Sequence, residues 1–395
     1  MTLLPGSLVQ LLNWDSISRR LISLGERPLT ARDRGLTAAL LALLADDVPP
    51  PFAVRRFRPL PTFSHGPGDL HTGAPGERDF GSHVDQTNYS VVVGERVVVK
   101  WLTPPVPLPH PTPEIFAHLV DSGFNDTAPP YAALTGVLGG REHLLALITG
   151  YLPEARDGWE WCVDEAATGS TAFATELGRL TADLHLALST FPITSTTGGA
   201  ASGSTAARAY EALAEALALT GGDDGEWLAT RADTMRQELK ALEKPIATPR
   251  IRIHGDLHVG QILQWRDGYA VIDFDGNPTV TGAGLHQPAA RDIAQLTTSL
   301  DHVAQVAIRR RSTPPADATR WAATARDAFL SAYRSRLADG NRPDLLDETL
   351  LRPFEVEQEC RELIYAARHL PRWRYAPMGV LRTWYGEEPR KENIA

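Results

Sequence analysis

Apolar positions recur at helical spacing through the first 46 residues, ending in TAALLALLADD, until VPPPF breaks the run. The spacing predicts a small helical cap over residues 1–48. From 52 to 102 the pattern changes to strand-like runs: FAVRRFRPL, a Gly/Pro/Asp/His-rich stretch from 64 to 86, then YSVVVGERVVVKWL. The last reads as a hairpin of two β-branched runs around Gly94-Glu95-Arg96. TPEIFAHLVDSGF (112–124) returns to a helical period, opened by Thr112 or Pro113, with Ile115, Leu119 and Val120 on one face. A second strand pair, AALTGVLGG and EHLLALITGYL, turns at Gly139-Gly140.

After YLPEARDGW the character changes. Residues 171–189 predict a helix with an apolar stripe at Phe173, Leu177, Leu180, Leu184 and Leu188. The Gly/Ser/Thr/Ala-rich stretch 193–207 predicts a mobile loop, helices resume over about 207–242, and residues 285–370 are again mostly helical. Between them QILQW and YAVIDF form a hairpin candidate on Asp267-Gly268. No internal repeat is visible. The pattern predicts an α+β chain in which a cap (1–48) and an antiparallel sheet lobe (49–153) precede a mostly helical lobe (154–395).

At 395 residues, 43% of them hydrophobic and 22% charged, the chain has the composition of a folded globular protein with a sizeable core. A formal net charge of −9 argues against generic binding to nucleic acid or an acidic membrane, since a phosphate backbone must be met by a basic surface. No basic leader with an apolar run and no 18-residue apolar segment is present, so a cytoplasmic protein is expected. Cys162 and Cys360 stand far apart and read as reduced core residues rather than a disulfide framework. Whether the chain is a monomer or a dimer is left open.

The chemistry concentrates in RIRIHGDLHVGQILQWRDGYAVIDFDG, residues 250–276. Asp256 lies in a loop, Gln261 five residues later, and Asp273 at the end of the second hairpin strand. A loop base, an amide oxygen and a carboxylate can therefore converge. Phosphoryl transfer asks for such a set: a carboxylate to orient the acceptor hydroxyl, oxygen ligands for Mg²⁺, and a lysine on the phosphates of ATP. Kinase catalytic loops space Asp and Asn as D-x-x-x-x-N ahead of a D-F-G aspartate. Here D-L-H-V-G-Q and D-F-D-G occupy those places, with Gln for Asn as a departure that still offers a carbonyl oxygen. A rival reading takes GDLH as a metallophosphoesterase element with His254, Asp256 and His258 as ligands. It needs a downstream G-N-H, where this chain has Pro278.

The stretch resembles the aminoglycoside phosphotransferase-like kinases. RIHGDLHVGQIL, GRLTADLHLAL (178–188), YLPEARDGWEW (151–161) and ELIYAARHLPRWRYAP (362–377) are similar to the maltokinase-like sugar kinases, a likeness that runs from about residue 85 onward. The resemblance implies a bilobal protein-kinase-like fold and an ATP- and Mg²⁺-dependent phosphotransferase acting on an alcohol group. By it, Asp256 is the acceptor base, Gln261 and Asp273 hold the metal, and Asp275 is either a third metal ligand or a wall of the acceptor site. Lys100 is the third-strand lysine on the phosphates and Glu114 its ion-pair partner. Tyr151 and Leu152 line the adenine hinge, and GSHVDQTNYSV from Gly81 covers the phosphates. Arg291 and Asp292 stand where the family buries an Arg-Asp pair, and Asp292 is a candidate prop or acceptor contact.

Glu355, Gln358, Glu359 and Glu362 share one face of a helix. Such a face is either solvated or an acceptor pocket in which carboxylates hold sugar hydroxyls and an ammonium group, with Trp373 as a stacking wall and His258 touching the sugar. The first 50 residues depart from the maltokinase cap. An amino sugar then fits better than maltose, and the acceptor implied is glucosamine, going to glucosamine 6-phosphate, as in the glucosamine kinases of that group. Maltose or an aminoglycoside is the alternative.

Overall fold

The structure is a computed structural model that describes residues 52–61, 77–79, 89–192, 205–276, 284 and 286–386. Before residue 50 it also describes Trp14–Asp15, Arg20–Leu21, Ser23–Leu24, Arg27–Pro28, Thr37, Leu41 and Leu44. The low-complexity stretch 193–204 and most of the expected phosphate-covering loop from Gly81 lie outside the described residues. So does most of the expected cap. Thr37, Leu41 and Leu44 are helical and buried, at i, i+4 and i+7. Trp14–Asp15 instead pairs with Arg20–Leu21, and Ser23–Leu24 with Arg27–Pro28, where the apolar period predicted helix. Asp15, Ser23 and Pro28 are poor helix-interior residues, and proline lacks the N–H a helix needs.

The chain divides into two compact units, Met1–Ala155 and Arg156–Ala395. The first is built on a six-stranded antiparallel sheet of β1 (Phe52–Arg56), β2 (Glu77–Asp79), β3 (Tyr89–Val93), β4 (Val97–Pro107), β5 (Pro130–Leu138) and β6 (Arg141–Gly150), in the order β1-β5-β6-β4-β3-β2. Gly94 and Glu95 both take positive φ (59° and 51°) and Arg96 N–H bonds Val93 O at 3.2 Å, which is a type I′ turn. That turn fixes the β3–β4 register. Helix α1 (Pro111–Asp121) starts with proline in its first turn, where a missing N–H costs nothing, and buries Ile115, Phe116 and Leu119.

The second unit begins with α2 (Gly158–Thr168) and α3 (Ala172–Leu188), and all five residues of the expected α3 stripe are buried. Helices α4 (Thr205–Leu219) and α5 (Gly222–Leu239) follow. A strand β7 (Arg250–Arg252) then leads through a loop to the hairpin β8 (Ile262–Trp265) and β9 (Gly268–Val271), and β10 (His286–Pro288) returns to pair with β7. Helices α6 (Ala290–Arg311), α7 (Pro315–Asp339), α8 (Leu351–Arg368) and α9 (Tyr375–Tyr385) complete it. Close approach of α3 and α7 needs Gly178, where a Cβ would lie 2.4 Å from Phe329 O. Helix α6 is buried on most sides yet carries buried Asp292, Gln295, Thr297, Thr298, Ser299 and His302. A helix that buries so many polar groups must satisfy them with partners; Thr298 uses its own helix carbonyls, while Asp292, Gln295 and Ser299 meet the loop that follows β7. The expected α+β architecture, an antiparallel sheet followed by a mostly helical remainder, is the one found. Among the described residues no helix is long and apolar enough to cross a membrane.

Candidate active site

The loop between β7 and β8 carries His254, Gly255, Asp256 and His258. Several of its anchors come from α6. Asp292, fully buried, accepts from His254 N–H at 2.7 Å and His185 Nε2 at 3.1 Å on one oxygen, and from Gly255 N–H at 2.9 Å on the other. His185 is itself set by Tyr333, whose hydroxyl lies 2.7 Å from Nδ1. Burial opposes the Asp292 charge, but His185, His254 and the Gly255 N–H outweigh it and hold the carboxyl below its ordinary range. One turn on, Gln295 donates to Asp256 Oδ1 at 2.7 Å, and after another turn Ser299 Oγ accepts from Val259 N–H at 3.1 Å. Asp292, Gln295 and Ser299 thus fall on one stripe of α6 and hold residues 254–259 in succession.

His254 joins this loop to the strand that leads to Asp273. Its Nε2 donates to Ile272 O at 2.9 Å and its Nδ1 accepts from Asp256 N–H at 3.3 Å, which fixes the tautomer. Ile272 N–H in turn bonds Gln261 O at 2.9 Å, so Gln261 and the residue before Asp273 are paired backbone to backbone. Asp273 leaves that pairing with φ 63°, a left-handed conformation uncommon for a side chain other than Gly, Asn or Asp. Asp273 is exposed and Asp275 half-buried. His258 caps the short turn Val259–Gln261, its Nδ1 accepting from Gly260 N–H at 3.0 Å, while its Nε2 stands 3.9 Å from Asp256 Oδ2.

A second cluster adjoins the first through aromatic rings. Trp159 of α2 lies 6.0 Å from the His258 ring and 5.4 Å from Trp373 in an edge-to-face contact, and Trp373 lies 5.5 Å from His302. Trp373 Nε1 donates to Glu362 at 2.8 Å, and Gln358 donates to the other Glu362 oxygen at 3.0 Å. His302 of α6 pairs with Glu359 at 3.1 Å. The acidic face of α8 is therefore not a solvated one. Glu355, Gln358 and Glu359 are buried, and Glu355 and Glu359 are met by Thr297, Arg326 and His302; of the four residues on this face, Glu362 is the half-buried one, beside Trp373.

In the first unit, Lys100 sits half-buried on β4 opposite Leu147 of β6. Glu114 requires correction. Both of its oxygens are engaged by Arg55 of the edge strand β1 in an exposed bidentate pair, so its partner is Arg55 rather than Lys100. The guanidinium lowers the Glu114 pKa through that hydrogen bond against a modest burial effect. Leu152 is buried, and Tyr151 donates its N–H to Arg96 O at 2.9 Å and accepts from Arg78 on its hydroxyl at 2.7 Å. Asp292 also departs from the expected pairing with its neighbour. Arg291 bonds Glu357 at 3.0 Å instead, and Asp292 faces the loop, which removes it as an acceptor contact. Glu359, fully buried against His302, is likewise a support and not an open ligand. Gln295, Ser299, His185, His302 and Trp159 were not singled out by sequence; the one signal for the α6 set was their spacing on a single stripe.

Residues 80–276 match the phosphotransferase enzyme family. Over 330 residues, 78% of this chain and 74% of the relative, the sequence is 42% identical to the glucosamine kinase of Streptacidiphilus jiangxiensis. The chain belongs to the phosphotransferase enzyme family. A second member, the glucosamine kinase of Mycolicibacterium smegmatis, is 37% identical over 320 residues, 78% of this chain and 79% of that one. Among solved structures, a glucosamine kinase in complex with glucosamine, ADP and inorganic phosphate superposes with a TM-score of 0.72 at 35% identity. It covers 92% of this chain and 86% of its own. Crystal form B of a glucosamine kinase gives 0.76 at 35% identity, covering 93% and 87%. For this phosphotransferase the resemblance carried by HGDLHVGQ and IDFDG is borne out, and the metallophosphoesterase reading falls away.

Proposed function

We propose that the chain is an ATP-dependent kinase that phosphorylates glucosamine. The observation that carries this reading is the run of contacts from the loop around Asp256 through His258 and Trp159 to Trp373, which donates to Glu362. Two relatives named as glucosamine kinases, at 42% and 37% identity, support it. A carboxylate beside a Trp ring suits a sugar bearing an ammonium group: the ring packs on the sugar face and the carboxylate takes the cation.

Asp256 accepts the proton of the acceptor hydroxyl and aims the oxygen at the γ-phosphorus. His258, on the Oδ2 side of Asp256, faces the sugar. Lys100 is the residue we assign to the ATP phosphates, and Leu152 with Tyr151 to the adenine side. Gln261 and Asp273, with Asp275 as a further oxygen donor, are hard ligands of the kind Mg²⁺ takes alongside water and phosphate oxygens. When bound, that ion neutralises charge on the β- and γ-phosphate oxygens. The two cysteines, free and buried, suit a reducing cytoplasm.

An acceptor panel tests the assignment. With Mg-ATP and the chain, ADP release should be stimulated by glucosamine with a kcat/KM at least about tenfold above maltose or kanamycin, a gap of about 1.4 kcal/mol in transition-state binding. Stimulation by maltose alone, or by no sugar, contradicts it.

A further inference from the structure

The contact between Gln295 and Asp256 has a consequence for the reaction itself. A carboxylate only accepts hydrogen bonds, so the Gln295 group at 2.7 Å from Oδ1 is its amide N–H. Gln295 is 6% exposed and sits on α6 between Asp292 and Ser299, each of which holds the same loop; its position is therefore fixed by the helix rather than by solvent. Its neutrality matters. An arginine or lysine there would make the carboxylate a weaker base, whereas an amide orients it without a charge.

On the proposed kinase reading, we infer that Gln295 is a positioning residue of the base: its amide holds Oδ1 and so helps set the plane in which the carboxylate meets the acceptor. Oδ2 lies on the His258 side, 3.9 Å from Nε2, too far for a hydrogen bond between them. The Asp256 side chain is 17% exposed, so a hydroxyl can reach it. In the step, the acceptor O–H proton passes to the Asp256 carboxylate and the acceptor oxygen bonds the γ-phosphorus. The bond from that phosphorus to the bridging oxygen breaks, and its electron pair leaves with ADP. Without the amide the carboxylate loses one of the bonds that set its plane, and the base is in line less often.

The test is a double-mutant cycle on the full chain, with Asp256→Asn, Gln295→Met and the pair, read as single-turnover phosphorylation of glucosamine under saturating Mg-ATP. Met keeps the length of the side chain and removes the amide. Gln295→Met alone should lower the rate about tenfold to a hundredfold, the worth of a hydrogen bond to a charged group, with KM for ATP unchanged. In the Asp256→Asn background the same change should have a factor near one, because the two residues act as a unit. An equal loss in both backgrounds, an unchanged rate in Gln295→Met, or a loss that appears only in KM for ATP overturns the inference. Full activity of Asp256→Asn instead overturns the kinase assignment of the loop, a separate result.

Discussion

Replacing Asp292 by Asn tests how far the loop depends on α6. The carboxylate accepts three hydrogen bonds, from the His254 and Gly255 N–H groups at 2.7 and 2.9 Å and from His185 at 3.1 Å, with no exposed surface. An amide has one oxygen. If it keeps the His254 and His185 bonds, its NH₂ meets the Gly255 N–H and leaves that donor unmet, at about 1–3 kcal/mol. Two charge-assisted bonds also become neutral ones, at about 1 kcal/mol each. The sum, about 3–5 kcal/mol, is a large part of the about 5–15 kcal/mol that holds a domain folded. Urea unfolding followed by Trp fluorescence should show a midpoint lowered accordingly, and kcat should fall about a hundredfold as the base is displaced. The wild-type carboxyl is held below its ordinary range, so its contribution is present above about pH 4 and is lost as pH falls through the lower native value. Asp292→Asn should lack that acid-side loss. A stability change under about 1 kcal/mol together with an unaltered kcat would refute the role given to α6.

Gly260→Ala would set a Cβ 2.7 Å from both the His258 ring and Trp159 Nε1, so glucosamine kcat/KM should fall about tenfold or more while stability drops by about 1–3 kcal/mol, read by steady-state kinetics and unfolding. Burial works against the His302 charge, but Glu359, Glu362 and Asp301 outweigh it and raise its pKa to about 9. A raised native value gives stability that is whole below about pH 6.5 and lost as pH rises through 9; burial also pushes its partner Glu359 up to about 7, so thermal unfolding of the wild type should weaken over that range and the double variant His302→Gln/Glu359→Gln, which removes both titrating groups, should not. Glu114→Ala removes only an exposed pair with Arg55, worth at most about 1 kcal/mol, and should leave KM for ATP within about twofold. A large rise in that KM would restore Glu114 to the nucleotide site.

What could be read from the sequence was local. The hairpins at Gly94-Glu95 and Gly139-Gly140, the α3 stripe and the spacing of Asp256, Gln261 and Asp273 are all set within a few residues, and periodicity and turn chemistry report them directly. The misread positions are those whose partner is distant. Period told which α8 residues share a face, but not that His302 and Thr297, some 57 residues earlier, would meet Glu359 and Glu355 there. Glu114 fitted a family pairing, and a helix start favours an acid in any case, yet the geometry gave it to Arg55. Gln295 and Ser299 resemble ordinary solvent positions of a helix until the fold buries α6. In the first 48 residues the apolar period suggested helix where short strand pairs occur at 14–28.

The central claim is that Asp256 handles the acceptor proton in glucosamine phosphorylation. The most direct measurement is glucosamine-dependent ADP release by Asp256→Asn, alongside thermal stabilisation of the same variant by glucosamine and Mg-ATP. Release should fall about a thousandfold or more, with both ligands still stabilising the fold, since orientation and general-base action are lost while the remaining contacts stay. Release within about tenfold of wild type would contradict it.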